Sequence, residues 1–583
     1  MGNKLLISTN HIEVQCDRGD TATQMLVQTN FYPITSNRIK TSFKLSPHLV
    51  PEVLKIFRNL DDSNIHTAPQ KIQDFYYNEI RIREHTADLL TNGPRRPCNV
   101  SSRLTLKPHQ QLGRELAEYH DRFAFFYDTR TGKTPLSLTI IYDDLLKHPE
   151  HKWLVVCPLI LIYNAWLEDS AKFFPEIVTV NCHADTPTKR RKAFETPGNI
   201  YLTNTESFIT YREPLEQIGF TGCFVDESSD MKSPKSKISK ELVDFAQYLK
   251  RFYLLAGTPA PNGEWEYYMQ MRAIDYYGWQ SSYTQFKEYY FVNLSYNPQY
   301  EKLAIRPDRK EMLLENVKKK ALYIDKEDVL DTPGRAFYEV EFEMPAELTK
   351  QYRKFKNELY LDIQQGTVKE LEDAVRITAK NTGAKLNKLN QISSGFVIDT
   401  AAAKENKFYG TDRKEWHLLS DYRFNILEAK LESEDCVGEQ VLIWANYHKE
   451  FEIIKERLGD RCACVYGEVN LKDKNDALQR FKDGKVQYLV ANPASADKGL
   501  TLTNSHIAIY FSLNWSYELF KQSYDRIYGD KSIQPHFCKY YILLAKGTID
   551  SILYNDVLQG KGDASYAVLN HLKPGGTKDE EDL

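Results

Sequence analysis

The feature that most constrains this 583-residue chain is an alternation of short apolar runs with amphipathic helical stretches, which occurs in two separate blocks. Each apolar run predicts a buried strand, and a helix after each strand predicts a crossover that leaves neighbouring strands parallel. The first block places its strands at 123–127, 153–157, 200–203, 223–226 and 252–256. The second block places them at 440–444, 462–465, 487–491, 506–511 and 538–544. We therefore expect an α/β protein with two tandem parallel-sheet lobes.

The first hundred residues have a different pattern. They mix short alternating stretches, at 11–14 and 25–27, with a helical run at 51–60. The segment 92–97 is rich in Gly and Pro and predicts a linker. We expect a small α+β accessory domain here.

The region between the two blocks shows long helical periodicity, at 346–365 and 368–391. It predicts a mostly helical insertion. A single hydrophobic core stops growing at roughly 250 to 300 residues, so the chain should form several domains. The predicted domains are an accessory domain at 1–100, a first lobe at 101–276, the insertion at 277–431, a second lobe at 432–560 and a tail at 561–583.

Composition excludes several classes of protein. Charged residues make up 27% of the chain and apolar residues 42%, which is typical of a globular protein. A net charge of −4 argues against a protein that coats nucleic acid by bulk electrostatics, so any such contact must be local, as at the basic cluster 189–192. The nine scattered cysteines predict reduced thiols, and the longest apolar run, 153–163, is about half of what a membrane span needs.

A Gly132-Lys133-Thr134 turn lies between the predicted strand 123–127 and a predicted helix at 135–142. Strand, turn and helix in this order predict a phosphate-binding loop. Backbone N–H groups at the helix start would surround a β-phosphate, Lys133 would reach the β- and γ-phosphates, and the Thr134 hydroxyl would bind Mg²⁺. Tyr127 replaces the first glycine of the usual pattern, so the tripeptide alone also fits an ordinary surface turn.

An adjacent pair of carboxylates, Asp226 and Glu227, ends a second apolar run about 90 residues further along. Acidic residues at the carboxyl end of a strand suit two tasks of phosphoryl transfer. Asp226 would hold Mg²⁺, and Glu227 would accept a proton from the attacking water. Alone, the pair fits a solvated turn, but its order and spacing relative to Lys133 favour a nucleotide site.

The order of these and further segments resembles the SWI/SNF-like branch of the superfamily 2 helicases. The compact size, the short insertion and two departures from the family pattern resemble a phage or bacterial enzyme more than a chromatin remodeller. By position, residues 1–100 resemble accessory domains with which related motors recognise forks or branches, and a domain that only stabilises the chain fits equally well. In the first lobe the resemblance runs through 106–110, 128–134, 155–173, 203–206, 226–229, 232–237 and 255–262. It implies RecA-like lobes that use ATP and Mg²⁺. The implied nucleotide contacts are Gln110 at the adenine edge and Arg130, Thr131 and Gly132 in the phosphate loop. The implied DNA contacts are Pro158, Asn204 and Thr205, and the implied coupling residues are Gly257 and Thr258.

In the second lobe the resemblance continues through 441–447, 466–467, 495–502, 511–516, 522–526 and 545–550. It implies that Gln522 and Arg526 complete catalysis, with the nucleotide in a cleft between the lobes, and that Gly499 contributes to nucleotide binding. The implied DNA contacts are Asn446, Ser495, Thr501 and Trp515. Trp515 also fits a core position, which is the commoner use of a tryptophan.

Two positions depart from the family pattern. Ser229 stands where the family has His, and Gly529 stands where it has a second arginine. An arginine finger contributes about 10³ to 10⁵ in rate, so the second departure bears on turnover. Arg526 acts alone, Lys531 substitutes, or hydrolysis is slow, and we favour the first.

The resemblance implies an ATP-dependent helicase or translocase, a DNA-dependent ATPase that moves along or remodels duplex, forked or branched DNA in replication, recombination or repair. We expect a monomeric motor in the cytoplasm of a bacterial or phage-infected cell. Two alternatives stay open. One is the motor subunit of a restriction or defence complex with other protein partners, and the other is a nucleotide-gated DNA-binding clamp that hydrolyses ATP weakly.

Overall fold

In the computed structural model the chain forms two compact units, and the boundary between them in the sequence lies between Val329 and Leu330. We call them the first unit and the second unit. The boundaries predicted at 100, 276, 431 and 560 stay predictions, and the division between the units falls inside the predicted insertion. The residues that the structure describes are 4–7, 12–17, 35–36, 40–45, 53, 70–184, 186–279, 282–294, 301, 303–358, 360–363, 375–378, 382–399, 406, 408–409, 415–495 and 501–559.

The first unit contains a seven-stranded sheet in which every described pairing is parallel. In spatial order its strands are Ala321–Ile324, Arg122–Tyr127, Arg251–Leu255, Gly222–Asp226, Trp153–Val156, Ile200–Thr203 and Thr179–Asn181. The five strands predicted for the first lobe are confirmed. Because the strands are parallel, all their carboxyl ends lie at one edge of the sheet, where ligands bind in folds of this kind.

Apolar residues cover both faces of this sheet. Along the strand Arg122–Tyr127, Phe123 and Phe125 belong to one buried cluster, whereas Ala124 and Phe126 belong to another. Successive side chains of a strand point to opposite faces, so a sheet buried on both sides reads as a continuous apolar run. The α-helices of the first unit are Gln70–Asn92, Pro108–Tyr119, Lys133–Lys147, Leu159–Leu161, Glu168–Phe173, Pro187–Glu195, Thr205–Thr210, Arg212–Gln217, Lys237–Ala246, Tyr267–Ile274, Tyr283–Tyr290, Pro307–Lys318 and Lys326–Val329. A π-helix covers Ile162–Leu167, and 3₁₀ turns cover Ser228–Met231 and Glu264–Glu266.

The second unit contains a six-stranded sheet, again with parallel pairings. In spatial order its strands are Arg335–Phe342, Cys538–Ala545, Ile507–Tyr510, Val441–Trp444, Tyr488–Ala491 and Cys462–Val465. Its helices are Ala346–Glu358, Thr382–Ser393, Tyr422–Leu431, His448–Leu458, Leu471–Lys482, Tyr517–Tyr524, Ile549–Ser551, the π-helix Ile552–Gln559 and the 3₁₀ turn Gly459–Arg461. The five strands predicted for the second lobe are confirmed, and with them the fold class of two tandem RecA-like lobes.

The predicted insertion holds more strand than expected. Ala321–Ile324 joins the first sheet, and Arg335–Phe342 joins the second. The predicted helix 346–365 is wrong after Glu358, because Tyr360–Ile363 pairs antiparallel with Val375–Thr378, which in turn lies inside the predicted helix 368–391. Val375–Thr378 alternates apolar and polar residues, and Tyr360–Ile363 is rich in residues that favour strands, so the strand preference dominates there over the helical period. Other two-stranded pairings join Phe291–Asn293 to Leu303–Ile305, Phe396–Ile398 to Trp416–Leu418 and Asn99–Ser101 to Leu104–Thr105.

Strands of the first hundred residues form a small antiparallel sheet, in the order Lys4–Ile7, Ile12–Asp17, Lys40–Leu45 and Thr35–Ser36. The predicted stretch 25–27 and all but Val53 of the predicted run 51–60 lie outside the described residues, as does the tail 561–583. The segment predicted as a linker is fixed in place, because the N–H groups of Arg95 and Arg96 donate to the carboxylate of Glu115. All nine cysteines are free thiols. Among the described helices, none combines the length and the apolar character that a membrane span requires.

Candidate nucleotide site

Three neighbouring strands of the first unit carry the predicted nucleotide residues at their carboxyl ends. Arg251–Leu255 lies between Arg122–Tyr127, which runs into the phosphate loop, and Gly222–Asp226, which ends in the acidic pair. Neighbouring strands are about 4.8 Å apart, so the phosphate loop and Asp226 start about 10 Å from each other. This is enough room for phosphates and a cation between them.

Gly132 is the residue that turns the phosphate loop into the helix Lys133–Lys147. Its backbone is left-handed, with φ 81° and ψ 48°, and a Cβ there would lie 2.0 Å from Nε2 of Gln110. Only glycine therefore fits this position. The side chain of Gln110 explains the close approach, since its Nε2 donates to the carbonyl of Gly132 at 2.9 Å and its Oε1 accepts from the N–H of Lys107 at 2.7 Å. Gln110 thus lies against the phosphate loop, and its predicted adenine contact stays a prediction.

His109 also stabilises the phosphate loop. A ring nitrogen of His109 donates to the carbonyl of Thr131 at 2.8 Å, and the Thr131 hydroxyl donates to the carbonyl of Asp128 at 2.7 Å. Burial lowers the pKa of His109 more than its hydrogen bond to Thr131 raises it. The imidazole is therefore neutral at physiological pH and acts as a fixed hydrogen-bond donor.

Lys133 points back into the loop that precedes it. Its Nζ donates to the carbonyls of Tyr127 at 3.0 Å and Asp128 at 3.4 Å. Lys133 and Thr134 are both half-buried, as is Arg130. Both of these acceptors are neutral carbonyls, so the ammonium gains from a charged oxygen, because charge-assisted hydrogen bonds are roughly twice as strong as neutral ones. The donors of this loop therefore fit a phosphate.

A second lysine, Lys326, lies against the phosphate loop, and the sequence analysis did not assign it. It is 1% exposed, and its Nζ lies 3.0 Å from Oγ1 of Thr129 and 3.6 Å from Oδ2 of Asp128. The strand Ala321–Ile324 positions it, because Ile324 pairs with Tyr127 and accepts from the N–H of Asp128 at 2.9 Å. Lys326 fixes the middle of the loop while Gln110 fixes its end.

The acidic pair forms a sharp turn at the end of its strand. Asp226 is 5% exposed, and its two oxygens accept from Nε1 of Trp166 and from the N–H of Glu227, each at 3.0 Å. Glu227 is half-buried and left-handed, with φ 56°. Among the described residues, the other non-glycine residue with positive φ is Arg130, at 65°. Such backbone costs about 1 to 3 kcal/mol and is concentrated at functional sites, and here both instances lie in the two predicted nucleotide loops.

Gln270 joins the acidic turn to the predicted coupling loop. It is 0% exposed, and its Oε1 accepts from the hydroxyl of Ser228 at 2.8 Å. Its Nε2 donates to the carbonyl of Pro259 at 2.7 Å and to that of Glu266 at 3.1 Å. Sequence alone does not identify Gln270, because a single amide in a largely apolar helix gives no local signal of its buried partners. It provides a direct connection between two loops that follow different strands.

The coupling loop also reaches the phosphate loop. Gly257 is buried, and a Cβ there would lie 3.4 Å from the N of Thr129 and 3.6 Å from Oδ1 of Asp128. Thr258, the other predicted coupling residue, is 7% exposed. The coupling loop therefore lies beside the phosphate loop and is joined to the acidic turn through Gln270.

The predicted DNA contacts of the first unit lie at the same edge, further from the phosphate loop. Pro158 follows the strand Trp153–Val156, and Asn204 and Thr205 follow Ile200–Thr203. All three are half-buried. The Oδ1 of Asn204 accepts from the N–H of Ser207 at 3.2 Å and so caps a helix. Contact of these residues with DNA stays a prediction.

In the second unit, Asn446 lies at the centre of a polar network. Its Nδ2 donates to the carbonyl of Ser512 at 2.7 Å, and its carbonyl accepts from Nδ2 of Asn492 at 3.0 Å. Its backbone N–H donates to Oε2 of Glu450, which is 0% exposed. Burial raises the pKa of Glu450 against the opposing effect of these donors. The network joins the ends of neighbouring strands, so Asn446 has a structural role whether or not it also contacts DNA.

The remaining predicted residues of the second unit have varied surroundings. Ser495 is half-buried, Thr501 is exposed, and Gly499 lies outside the described residues. Trp515 is half-buried and packs against both apolar clusters of this unit, which favours the core interpretation over base stacking.

Gln522 and Arg526, the predicted catalytic residues of the second unit, lie at and just beyond the end of the helix Tyr517–Tyr524. Gln522 is half-buried and Arg526 is 8% exposed. The carbonyl of Arg526 accepts from the N–H of Leu502 at 2.9 Å, which connects this helix end to the segment that follows Thr501. Their catalytic roles stay predictions.

The family model of the SNF2-related domain matches residues 66–394, more than half of the chain, and that of the helicase conserved C-terminal domain matches 423–528. Protein p41 of Acyrthosiphon pisum secondary endosymbiont phage 1 is 25% identical over 443 residues, covering 72% of this chain and 89% of that protein. The human DNA annealing helicase and endonuclease ZRANB3 is 24% identical over 76% of this chain, which spans only 38% of the human protein. A Sulfolobus solfataricus SWI2/SNF2 ATPase core in complex with double-stranded DNA is 21% identical, with 82% of this chain and 98% of that chain covered, but its TM-score of 0.36 is too low to support an argument. By its match to the SNF2-related domain, the chain belongs to the SWI/SNF-like branch of the superfamily 2 helicases.

Proposed function

We propose that this protein is an ATP-driven motor that couples ATP hydrolysis to movement along, or remodelling of, double-stranded or branched DNA. The observation that supports the proposal is the linkage of three loops at one edge of the first sheet. The coupling loop lies beside the phosphate loop, since a Cβ added at Gly257 would be 3.4 Å from the N of Thr129, and Gln270 connects the coupling loop to the acidic turn. A change at the phosphates can therefore reach both the catalytic carboxylate and the loop that leads away from it.

The first unit supplies the groups that bind and cleave ATP. Lys133 and the N–H groups at the start of its helix bind the phosphates, and Glu227 accepts a proton from the attacking water. Thr134 and Asp226 offer oxygen ligands of the kind that Mg²⁺ prefers. When bound, Mg²⁺ neutralises part of the phosphate charge. Arg526 supplies further positive charge to the phosphates, and Gln522 assists it. The family resemblance supports both of these roles.

The proposal for DNA rests on the family and on the position of the predicted contacts. Pro158 and Asn204 follow strands of the same sheet edge as the phosphate loop. Trp166, from the segment that follows Pro158, donates to Asp226 and so connects this region to the acidic turn. A protein of net charge −4 contacts DNA locally, through phosphates, so we expect little sequence specificity and strong salt dependence.

Steady-state ATP turnover tests the proposal, measured without DNA and with duplex, forked and single-stranded DNA. We expect at least one of the duplex or forked substrates to raise turnover by about tenfold or more, the range typical of coupled sites. Glu227→Gln should keep ATP binding and lower turnover by about 10²-fold to 10⁴-fold, because it removes the general base. Glu213→Gln, at an exposed glutamate of the same unit, is the matched control.

Two results would contradict the proposal. Turnover that no DNA stimulates would favour the nucleotide-gated clamp over the motor. Turnover of Glu227→Gln within about tenfold of wild type would exclude Glu227 as the base.

A further inference from the structure

A loop of the first unit brings two histidines and a glutamate together at the sheet edge opposite the nucleotide site. The segment 148–151 has the sequence His-Pro-Glu-His and connects the helix Lys133–Lys147 to the start of the strand Trp153–Val156. One ligand atom from each of His148, Glu150 and His151 lies within 4.8 Å of the other two. We propose that this cluster binds a divalent transition-metal ion, with Zn²⁺ as the best match.

A tight turn holds the two histidines side by side. The N–H of His151 donates to the carbonyl of His148 at 3.0 Å, which closes a four-residue turn with Pro149 at its second position. Proline at this position has its φ already fixed for such a turn. The imidazole rings are stacked, with centroids 4.5 Å apart and planes 25° from parallel. The backbone therefore holds the side chains of His148 and His151 close together before a metal binds. Metal binding then requires little further ordering of these two side chains.

The spacing of the ligand atoms is close to that of a zinc site. Oε1 of Glu150 lies 3.8 Å from Nδ1 of His148 and 3.8 Å from Nε2 of His151. Tetrahedral zinc with bonds of about 2.0 to 2.1 Å separates its ligands by about 3.3 Å. For these two pairs the remaining difference is about half an ångström, and the ligand atoms of His148 and His151 lie within 4.8 Å of each other. The side chain of Glu150 is 71% exposed, so it has the freedom to make that adjustment.

A buried carboxylate orients His151. Nδ1 of His151 lies 2.9 Å from Oδ2 of Asp144, whose side chain is 1% exposed. Two further donors fix Asp144, because Nε1 of Trp153 bonds the same oxygen at 2.9 Å and Arg251 bonds the other at 3.0 Å. This hydrogen bond holds a proton at Nδ1 of His151, so Nε2, which lies 3.8 Å from Oε1 of Glu150, is the nitrogen that can bind a metal. Metal-binding histidines characteristically donate their other nitrogen to such a carboxylate.

The donor set selects the class of metal. Two imidazole nitrogens and one carboxylate oxygen suit Zn²⁺ and its neighbours in the first transition row, whereas Mg²⁺ and Ca²⁺ prefer oxygen ligands alone. His148 and Glu150 are exposed, so an ion can enter from solvent and water can complete its coordination. A bound ion would connect the end of the phosphate-loop helix to the start of a central strand and would stabilise the first unit.

Zinc binding by the tag-free, full-length, metal-stripped protein tests this assignment. Calorimetric titration with ZnCl₂ should show one zinc site in the wild-type protein, and the variants should bind zinc more weakly at that site. In thermal unfolding, zinc should raise the Tm of the wild-type protein, and excess Mg²⁺ should not reproduce that rise. His148→Ala and Glu150→Gln change exposed side chains and leave the bond between His151 and Asp144 in place. Each should weaken zinc binding by about tenfold or more, as expected when one ligand is lost.

His448→Ala is the matched control. His448 is also half-exposed beside carboxylates, but both its ring nitrogens are already engaged, with Glu452 and Glu468 at 3.0 Å each. Its removal should leave zinc affinity unchanged. The assignment is overturned if wild type shows no zinc-dependent rise in Tm, or if His148→Ala and Glu150→Gln bind zinc as tightly as wild type. ATP turnover does not enter this test, so its result is independent of the proposed function.

Discussion

The two units have the same parallel-sheet architecture, but their buried polar side chains connect loops in the first unit and strands and helices in the second. In the first unit they connect loops to one another, since Gln110, Lys326 and Gln270 each join a predicted nucleotide loop to another segment. In the second unit they connect the strands and helices of the fold to one another. Arg423 is 1% exposed and pairs with Asp550 at 2.7 Å while donating to the carbonyls of Phe511 and Leu543.

This difference indicates where the chemistry is organised. Polar contacts among loops preorganise a site before its ligand arrives, whereas a buried ion pair among strand ends mainly fixes the fold, and breaking it costs about 3 to 5 kcal/mol. We therefore infer that the first unit carries a preformed ATP site. The contribution proposed for the second unit rests on Arg526 and Gln522.

The largest effect should come from comparing Lys133→Ala with Arg526→Ala. Both should lower ATP turnover by about 10³-fold or more, because each removes positive charge from the phosphates. Lys133→Ala should also weaken ATP binding, whereas Arg526→Ala should leave it within a few-fold of wild type. Turnover and binding of a fluorescent ATP analogue measure the two effects separately.

Lys147→Ala is the control for this comparison, because Lys147 is an exposed lysine at the far end of the same helix. It should behave as wild type. Retained turnover in Lys133→Ala would refute the phosphate site. Retained turnover in Arg526→Ala would show that the first unit hydrolyses ATP by itself or that Lys531 supplies the charge.

A smaller effect is expected for Gln270→Leu, which cuts the connection between the acidic turn and the coupling loop. We expect kcat to fall by about tenfold and the KM for ATP to stay within about twofold, since Gln270 touches neither the predicted phosphate ligands nor Lys133. Stimulation by DNA should fall further than basal turnover. Gln247→Leu removes a glutamine with one bond, to the carbonyl of Val243, and provides the control.

A purely structural role for Gln270 would give another pattern. Lower Tm with unchanged kcat and unchanged stimulation by DNA would assign the residue to folding alone. Gln270→Glu keeps an acceptor for Ser228 but loses the donor to Pro259, so it should recover only part of the activity.

The smallest functional effect should come from Glu450→Gln in the second unit. Burial raises the pKa of Glu450 above its usual 4.5, so the folded state favours the protonated carboxyl. The stability that this preference contributes is fully present below pH 4.5 and is lost as the pH rises through the folded-state pKa. Glutamine has no such titration. Urea unfolding between pH 5 and pH 8 should therefore show a flatter pH dependence for the variant, with a higher relative stability at pH 8, and ATP turnover should change little. A wild-type slope retained by the variant would assign the titration to other groups.

The sequence predicted the strands and the loops that follow them well, because a buried parallel strand is a continuous apolar run. Lys133, Asp226 and Glu227 were found in this way, and the structure places their loops at one sheet edge. It did not predict the strands Ala321–Ile324 and Arg335–Phe342. The first is an apolar run of only four residues within a region of helical periodicity, and the second is mostly half-buried or exposed and has no continuous apolar run. Lys326 and Gln270 were missed for a related reason. Their contacts join residues 197 and 42 positions apart, and no local period encodes such distances.

The indole of Trp166 has a practical consequence for anyone who studies this site. It is fully buried and shares the carboxylate of Asp226 with any cation that this carboxylate binds. Tryptophan emission responds to changes in nearby charge and hydrogen bonding. The chain thus contains its own optical reporter of occupancy, placed one bond from the acidic turn and requiring no attached dye.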